Sequence, residues 1–126
     1  MFLTQLIVQE VRGRNRWRLH EDLVYRGNWD EFVVPRGFQT DFASVPRAFW
    51  SVYPPYGTHT KAAVVHDYLY REQPIVKGGK PISRKDADGI FERIMRELGT
   101  SWWRRKTMHF AVRLFGWRGY RKWKKK

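Results

Sequence analysis

His66 and Asp67 stand side by side in the segment His66-Asp67-Tyr68-Leu69-Tyr70, and another carboxylate, Asp88, follows in a second apolar segment. An imidazole and a carboxylate inside apolar stretches are costly to bury without partners or a purpose. On a helix, neighbouring residues project about 100° apart, so His66 and Asp67 serve different ends. Asp88 lies one turn before Phe91, at the edge of an apolar stripe, while Asp86 points outward. Two helices joined by a loop of about a dozen residues usually pack antiparallel, which would let His66 meet Asp88. The carboxylate would orient the ring and stabilise its protonated form. The other ring nitrogen would take a proton from water, as in a hydrolase built on a His/Asp dyad. Asp67 could join Asp41 and backbone carbonyls around a hard cation.

A blander reading stands beside this one. His66 could be a core histidine bonded to a backbone carbonyl, and Asp67 could pair with Arg47 or Arg71. Asp41 and Ser44 could cap a turn. Ser44 lacks the G-x-S-x-G surroundings of a nucleophile elbow, and His20 and His59 read as surface or structural.

The elements that must position these groups are legible in outline. Leu3, Ile7, Val8 and Val11 make a short apolar run, and Arg12 to Asn15 makes a turn. Trp17 and Leu19 alternate with Arg16, Arg18 and His20 as in a half-buried strand. Leu23 to Tyr25 continue it, Gly27-Asn28 turns, and Phe32 to Val34 end at Pro35. This pattern predicts an antiparallel meander to about Phe38. Thr40 to Gly57 reads as an irregular apolar loop packed on the domain. A first helix is expected from Thr58 or Thr60 to Tyr70, then a loop marked by Pro74, Gly78, Gly79 and Pro81. The second helix begins at an N-cap, Ser83, carries Ala87, Ile90, Phe91, Ile94, Met95 and Leu98, and closes at Gly99. A third, from near Thr100 to Gly116, carries Trp103, Phe110, Ala111, Leu114 and Phe115.

A chain of 126 residues with 17% aromatics and seven Trp suits one domain with a modest core. The absence of Cys excludes disulfides and thiolate metal sites. No stretch approaches the roughly 20 apolar residues of a membrane span, and the first ten positions make a poor signal peptide. Net charge is +13, with ten Lys/Arg and no acid from Ser101 onward. Arg104, Arg105, Lys106, Arg118, Arg121, Lys122, Lys124, Lys125 and Lys126 form a polyanion-binding candidate. Its partner would be an anionic membrane surface, DNA or an acidic protein face. Trp102, Trp103, Trp117, Tyr120 and Trp123 among them suit a lipid interface or base stacking. A solvated tail is the plain alternative.

Gly37-Phe38, then Thr40-Asp41-Phe42-Ala43-Ser44-Val45-Pro46-Arg47, His66 to Tyr70, Ser83-Arg84, Ala87-Asp88, Phe91 and Val112 to Gly116 together resemble a family. It is domain of unknown function 1353, common in tailed bacteriophages and prophages. The resemblance covers nearly the whole chain. It implies a late or virion-associated protein, made in the host cytoplasm, with other virion proteins as partners. It marks Thr40, Ser44, Arg47 and Tyr70 as supporting the motif. The pair His66-Asp67-Tyr68-Leu69-Tyr70 and Asp88-Gly89-Ile90-Phe91 also resembles the helix pair of secreted phospholipases. That likeness implies His66 as the base activating water, Asp88 as its orienting carboxylate and Asp67 as a calcium ligand.

The expected architecture is α+β: residues 1–116 as one domain, an antiparallel β-meander followed by three helices, and 117–126 as a basic aromatic tail. The leading functional expectation is ester hydrolysis at the host envelope. The rival is a structural particle protein whose basic end grips DNA or an acidic neighbour. A dedicated nucleic-acid binder ranks third.

Overall fold

Alternation of apolar and polar residues builds the N-terminal third. The computed structural model describes residues 1–11, 16–27, 30–40, 60–76, 79–117 and 120. Strands β1 (Val8–Val11), β2 (Arg16–Leu19) and β5 (Gln39–Thr40) form an antiparallel sheet in the order β1-β2-β5. Val8 faces Leu19, and Trp17 faces Thr40. Strands β3 (Leu23–Arg26) and β4 (Glu31–Val34) form a separate hairpin, in which Leu23 faces Val34 and Tyr25 faces Phe32. All four of those side chains are buried, as period-two alternation demands when one face packs inward.

The single meander expected from the sequence is therefore split in two. Leu23 to Tyr25 do not continue the strand of Trp17. Asp22 breaks it: its carboxylate accepts the Arg36 N–H at 2.7 Å, and its carbonyl accepts the Thr4 hydroxyl at 2.9 Å. Gly37, at φ +91°, gives its N–H to Leu19 O and turns the chain back along β2. Only glycine enters that region at little cost.

Helix α1 (Thr60–Glu72) buries Ala62, Ala63, Val64, Val65, His66, Leu69 and Tyr70. The face is wide because the helix lies against both β4 and helix α2 (Arg84–Glu97). The stretch read as a loop after α1 contains a two-stranded hairpin, β6 (Ile75–Val76) with β7 (Lys80–Pro81). Its apolar content is too short to show a strand period.

Ser83 caps α2 as expected, its Oγ accepting the Asp86 N–H at 3.1 Å. Gly99 lies past the other end at φ +84°. Helix α3 (Trp102–Phe115) packs on α2 through Met108, Ala111 and Val112. Trp103, Phe110 and Leu114, read from sequence as residues the helix carries, are exposed. The α2 stripe of Ala87, Phe91, Ile94 and Met95 forms the centre of the core with Tyr25, Leu69 and Ile82. Phe91, Ile94, Met95, Leu69 and Ile82 each contribute about 1.5–3 kcal/mol by leaving water. Among the described residues no helix is long and apolar enough to cross a membrane.

Candidate functional site

Three helices bring their polar groups to one carboxylate. Asp88 sits on the inner face of α2 and is fully buried. From α1, His66 Nε2 lies 2.7 Å from Asp88 Oδ1, and the Tyr70 hydroxyl donates to the same oxygen at 2.5 Å. His66 and Tyr70 are four residues apart, so one turn of α1 stacks them on the same face. From α3, Arg113 Nη1 donates to Asp88 Oδ2 at 3.0 Å. Arg84, one turn ahead of Asp88, approaches that oxygen at 3.8 Å. Its Nη1 also donates to the Val112 and Arg113 carbonyls at 3.0 Å each, in the last turn of α3. A cation at that end suits the helix dipole.

The imidazole is held as well as paired. Its ring centroid lies 4.1 Å from that of Tyr70 and 4.7 Å from that of Phe91, and His66 is buried. Gly116 closes the site from the end of α3. A Cβ there would stand 2.6 Å from the Tyr70 hydroxyl and 2.5 Å from Val112 O. The close approach, rather than any backbone strain, requires glycine.

Burial pushes the Asp88 carboxyl upward. The hydrogen bond and charge of His66, joined by Tyr70 and Arg113, outweigh this and hold it below the ordinary carboxylate range. An ionised Asp88 only accepts, so His66 donates to it through Nε2. Burial, reinforced by the bond to Asp88, pushes the Tyr70 phenol far up and keeps it protonated.

The structure thus brings His66, Asp88 and Tyr70 together. Asp67 faces elsewhere, its Oδ1 lying 3.2 Å from Arg71 Nε. Arg71 also donates to Gln39 O at 2.7 Å and so ties α1 to β5. Thr40, buried at the end of β5, stands beside that tie. Asp41, Ser44 and Arg47 lie outside the described residues, as do Arg118, Arg121, Lys122, Lys124, Lys125 and Lys126. Of the remaining basic candidates, Arg105 and Lys106 share Glu92 at 2.9 and 3.1 Å, and Arg104 is exposed. Tyr120, read as part of the tail, gives its hydroxyl to Ile82 O at 2.7 Å.

Arg84 and Arg113 were missed as site residues. Arg84 was findable, since its spacing to Asp88 is that of a helical ion pair. Arg113 was not, because only the packing of α3 on α2 directs it inward. A groove of about 690 Å³, lined by Phe32, Ile75, Ile82, Gly89, Ile90 and Arg93 among others, does not include His66, Tyr70 or Asp88. Gly89, Ile90 and Arg93 project from a different side of α2 than Asp88 does.

Residues 17–112 match the family model described as "Protein of unknown function (DUF1353)". An uncharacterized protein of Sinorhizobium fredii (strain NBRC 101917 / NGR234), y4jT, is 35% identical over 88 residues, which cover 68% of this chain. The match spans about a quarter of that relative's length (24%). No solved structure matches the chain.

Proposed function

Taking as premise that the chain belongs to the DUF1353 family, whose description assigns no chemistry, we propose from the site itself that His66 and Asp88 form a water-activating dyad for ester hydrolysis. The observation that carries this reading is the 2.7 Å contact between His66 Nε2 and an Asp88 oxygen that also accepts the Tyr70 hydroxyl. In the proposed step, the His66 imidazole takes a proton from water as the water oxygen attacks the ester carbonyl carbon. The tetrahedral intermediate then expels the alkoxide, the carbon–oxygen bond breaks, and His66 returns the proton to the leaving oxygen. Asp88 stabilises the transient imidazolium, and Tyr70 and Phe91 hold the ring plane. The likeness of the two helices to secreted phospholipases makes a phospholipid ester the first substrate to test.

The described residues do not furnish a calcium site. Asp67 already faces the Arg71 guanidinium, and among the described residues no group of three His, Cys, Asp or Glu converges. On the sequence resemblance alone, we further propose that the chain is a late or virion-associated phage protein.

The direct test is hydrolysis of a phospholipid in mixed micelles, with and without calcium, by the wild type, His66→Gln and Asp88→Asn. Turnover lost in both variants supports the reading. Absence of turnover in the wild type under every condition sinks it.

A structural role is the second reading, favoured by the two arginines on Asp88. With His66 and Tyr70 they make the carboxylate a tie among α1, α2 and α3. It expects the same variants to lose stability with no activity to lose.

A further inference from the structure

Helix α3 has two apolar faces, and the core uses one. Met108, Ala111 and Val112 are buried. Trp103, Phe110 and Leu114 are 74%, 63% and 48% exposed, and Trp117, just past the helix end, is 44% exposed. At 100° per residue, Trp103, Phe110 and Leu114 lie within about 40° of one another around the axis, in a row roughly 17 Å long. Trp102 flanks the row, its ring meeting that of Trp103 edge-on at 5.0 Å. Scattered exposed apolar residues need no explanation, but an aligned row of large ones marks an interaction surface. Its surroundings are cationic: Arg104 and Lys106 are exposed on the same helix. The chain as a whole carries a net charge of +13. Glu92 of α2 takes Arg105 and Lys106 together, so one acid offsets two bases.

We propose that this face of α3 docks on the surface of an anionic lipid bilayer, with the helix lying in the interface plane. A second copy of the chain would set two faces of the same positive charge against each other. Nucleic acid would satisfy the basic groups but has no apolar surface for Leu114, which has no ring to stack on a base. The boundary between headgroups and acyl chains accepts Trp, Phe and Leu at once while the flanking cations meet lipid phosphates. The anchor is thus a helix of the folded domain. The inference is carried by α3 alone and stands whether or not His66 acts on an ester.

The test uses the full chain with phosphatidylcholine vesicles, with and without phosphatidylglycerol, and the exposed-face variant Phe110→Ser/Leu114→Ser, which leaves every tryptophan in place. The wild type is expected to float with the anionic vesicles. Its tryptophan emission should shift to the blue and be quenched by brominated acyl chains. The variant should keep its circular dichroism and bind at least roughly tenfold more weakly, since affinity follows buried apolar area. Equal binding by wild type and variant would overturn the proposal, as would binding without quenching, because charge alone would then suffice. It would also be overturned by absence of vesicle binding, whether or not the variant instead abolished a dimer or an affinity for DNA.

Discussion

Around Asp88, three hydrogen-bond donors and the Arg84 guanidinium at 3.8 Å, drawn from three helices, converge on two oxygens, so each substitution has a distinct expected result. Tyr70→Phe removes one hydrogen bond while keeping the ring against His66. It should cost about 1–2 kcal/mol in urea unfolding, with the helical content unchanged. Asp88→Asn should flatten the acid limb of the stability curve. The folded-state carboxyl lies below its ordinary value, so the unfolded chain binds more protons as the solution is acidified. Asp88 therefore contributes stability that is fully present above the ordinary aspartate range near pH 4. That contribution declines as the pH falls through and below it. Melting temperatures from pH 6 to pH 3 check this: the gap between wild type and Asp88→Asn should narrow with acidification. A constant gap would mean that Asp88 titrates normally in the folded chain.

The helices act through their ends as well as their faces. Arg84 leaves the first turn of α2 to hold the last carbonyls of α3, which brings Arg113 over Asp88. Arg84→Ala should therefore loosen the end of α3 first. The expected result is faster amide exchange over the last turn of α3, with that of α1 little changed, and a loss of about 1 kcal/mol. Gly116→Ala works from the same end by a different route. Its methyl group would meet the Tyr70 hydroxyl and Val112 O, so the last turn must shift away from α1. A crystal structure of that variant should show a lengthened Tyr70–Asp88 contact. An unmoved Tyr70 would show that the Gly116 contact has no bearing on the site.

Across the whole domain, the strands and the helices are joined by a second polar contact. Tyr25 of β3 donates to Glu97 at the end of α2 at 2.8 Å. Burial, with the help of Glu97, pushes the Tyr25 phenol up to about 12. An unfolded tyrosine ionises near pH 10, so between the two values the folded chain holds a proton that the unfolded chain releases. Stability should then fall as the pH rises from about 10 to about 12. Tyr25→Phe should lose part of that alkaline dependence, which guanidinium titrations at successive pH values would reveal. The core itself has little redundancy, because Phe91 both fills its centre and flanks the His66 ring. Phe91→Ala should cost about 3–5 kcal/mol and release the imidazole from this ring neighbour.

Local pattern alone was enough for α2. Its cap at Ser83, its stripe through Ala87, Phe91, Ile94 and Met95, and its close at Gly99 are all short-range signals. The same holds for the α+β order of elements and for the prospect that His66 meets Asp88, since helical period and antiparallel packing bring them within reach. The two sheets were not legible, because the pairing of β2 with β5 depends on distant residues and on where Asp22 and Gly37 turn the chain. Nor was the orientation of α3. Its sequence offers two apolar faces, and only contact with α2 chose Met108, Ala111 and Val112 for the core. That one rotational choice directs Arg113 onto Asp88 and leaves Trp103, Phe110 and Leu114 outside. Periodicity can say that a helix has an apolar face, but which face is buried depends on the shape of the neighbour that covers it.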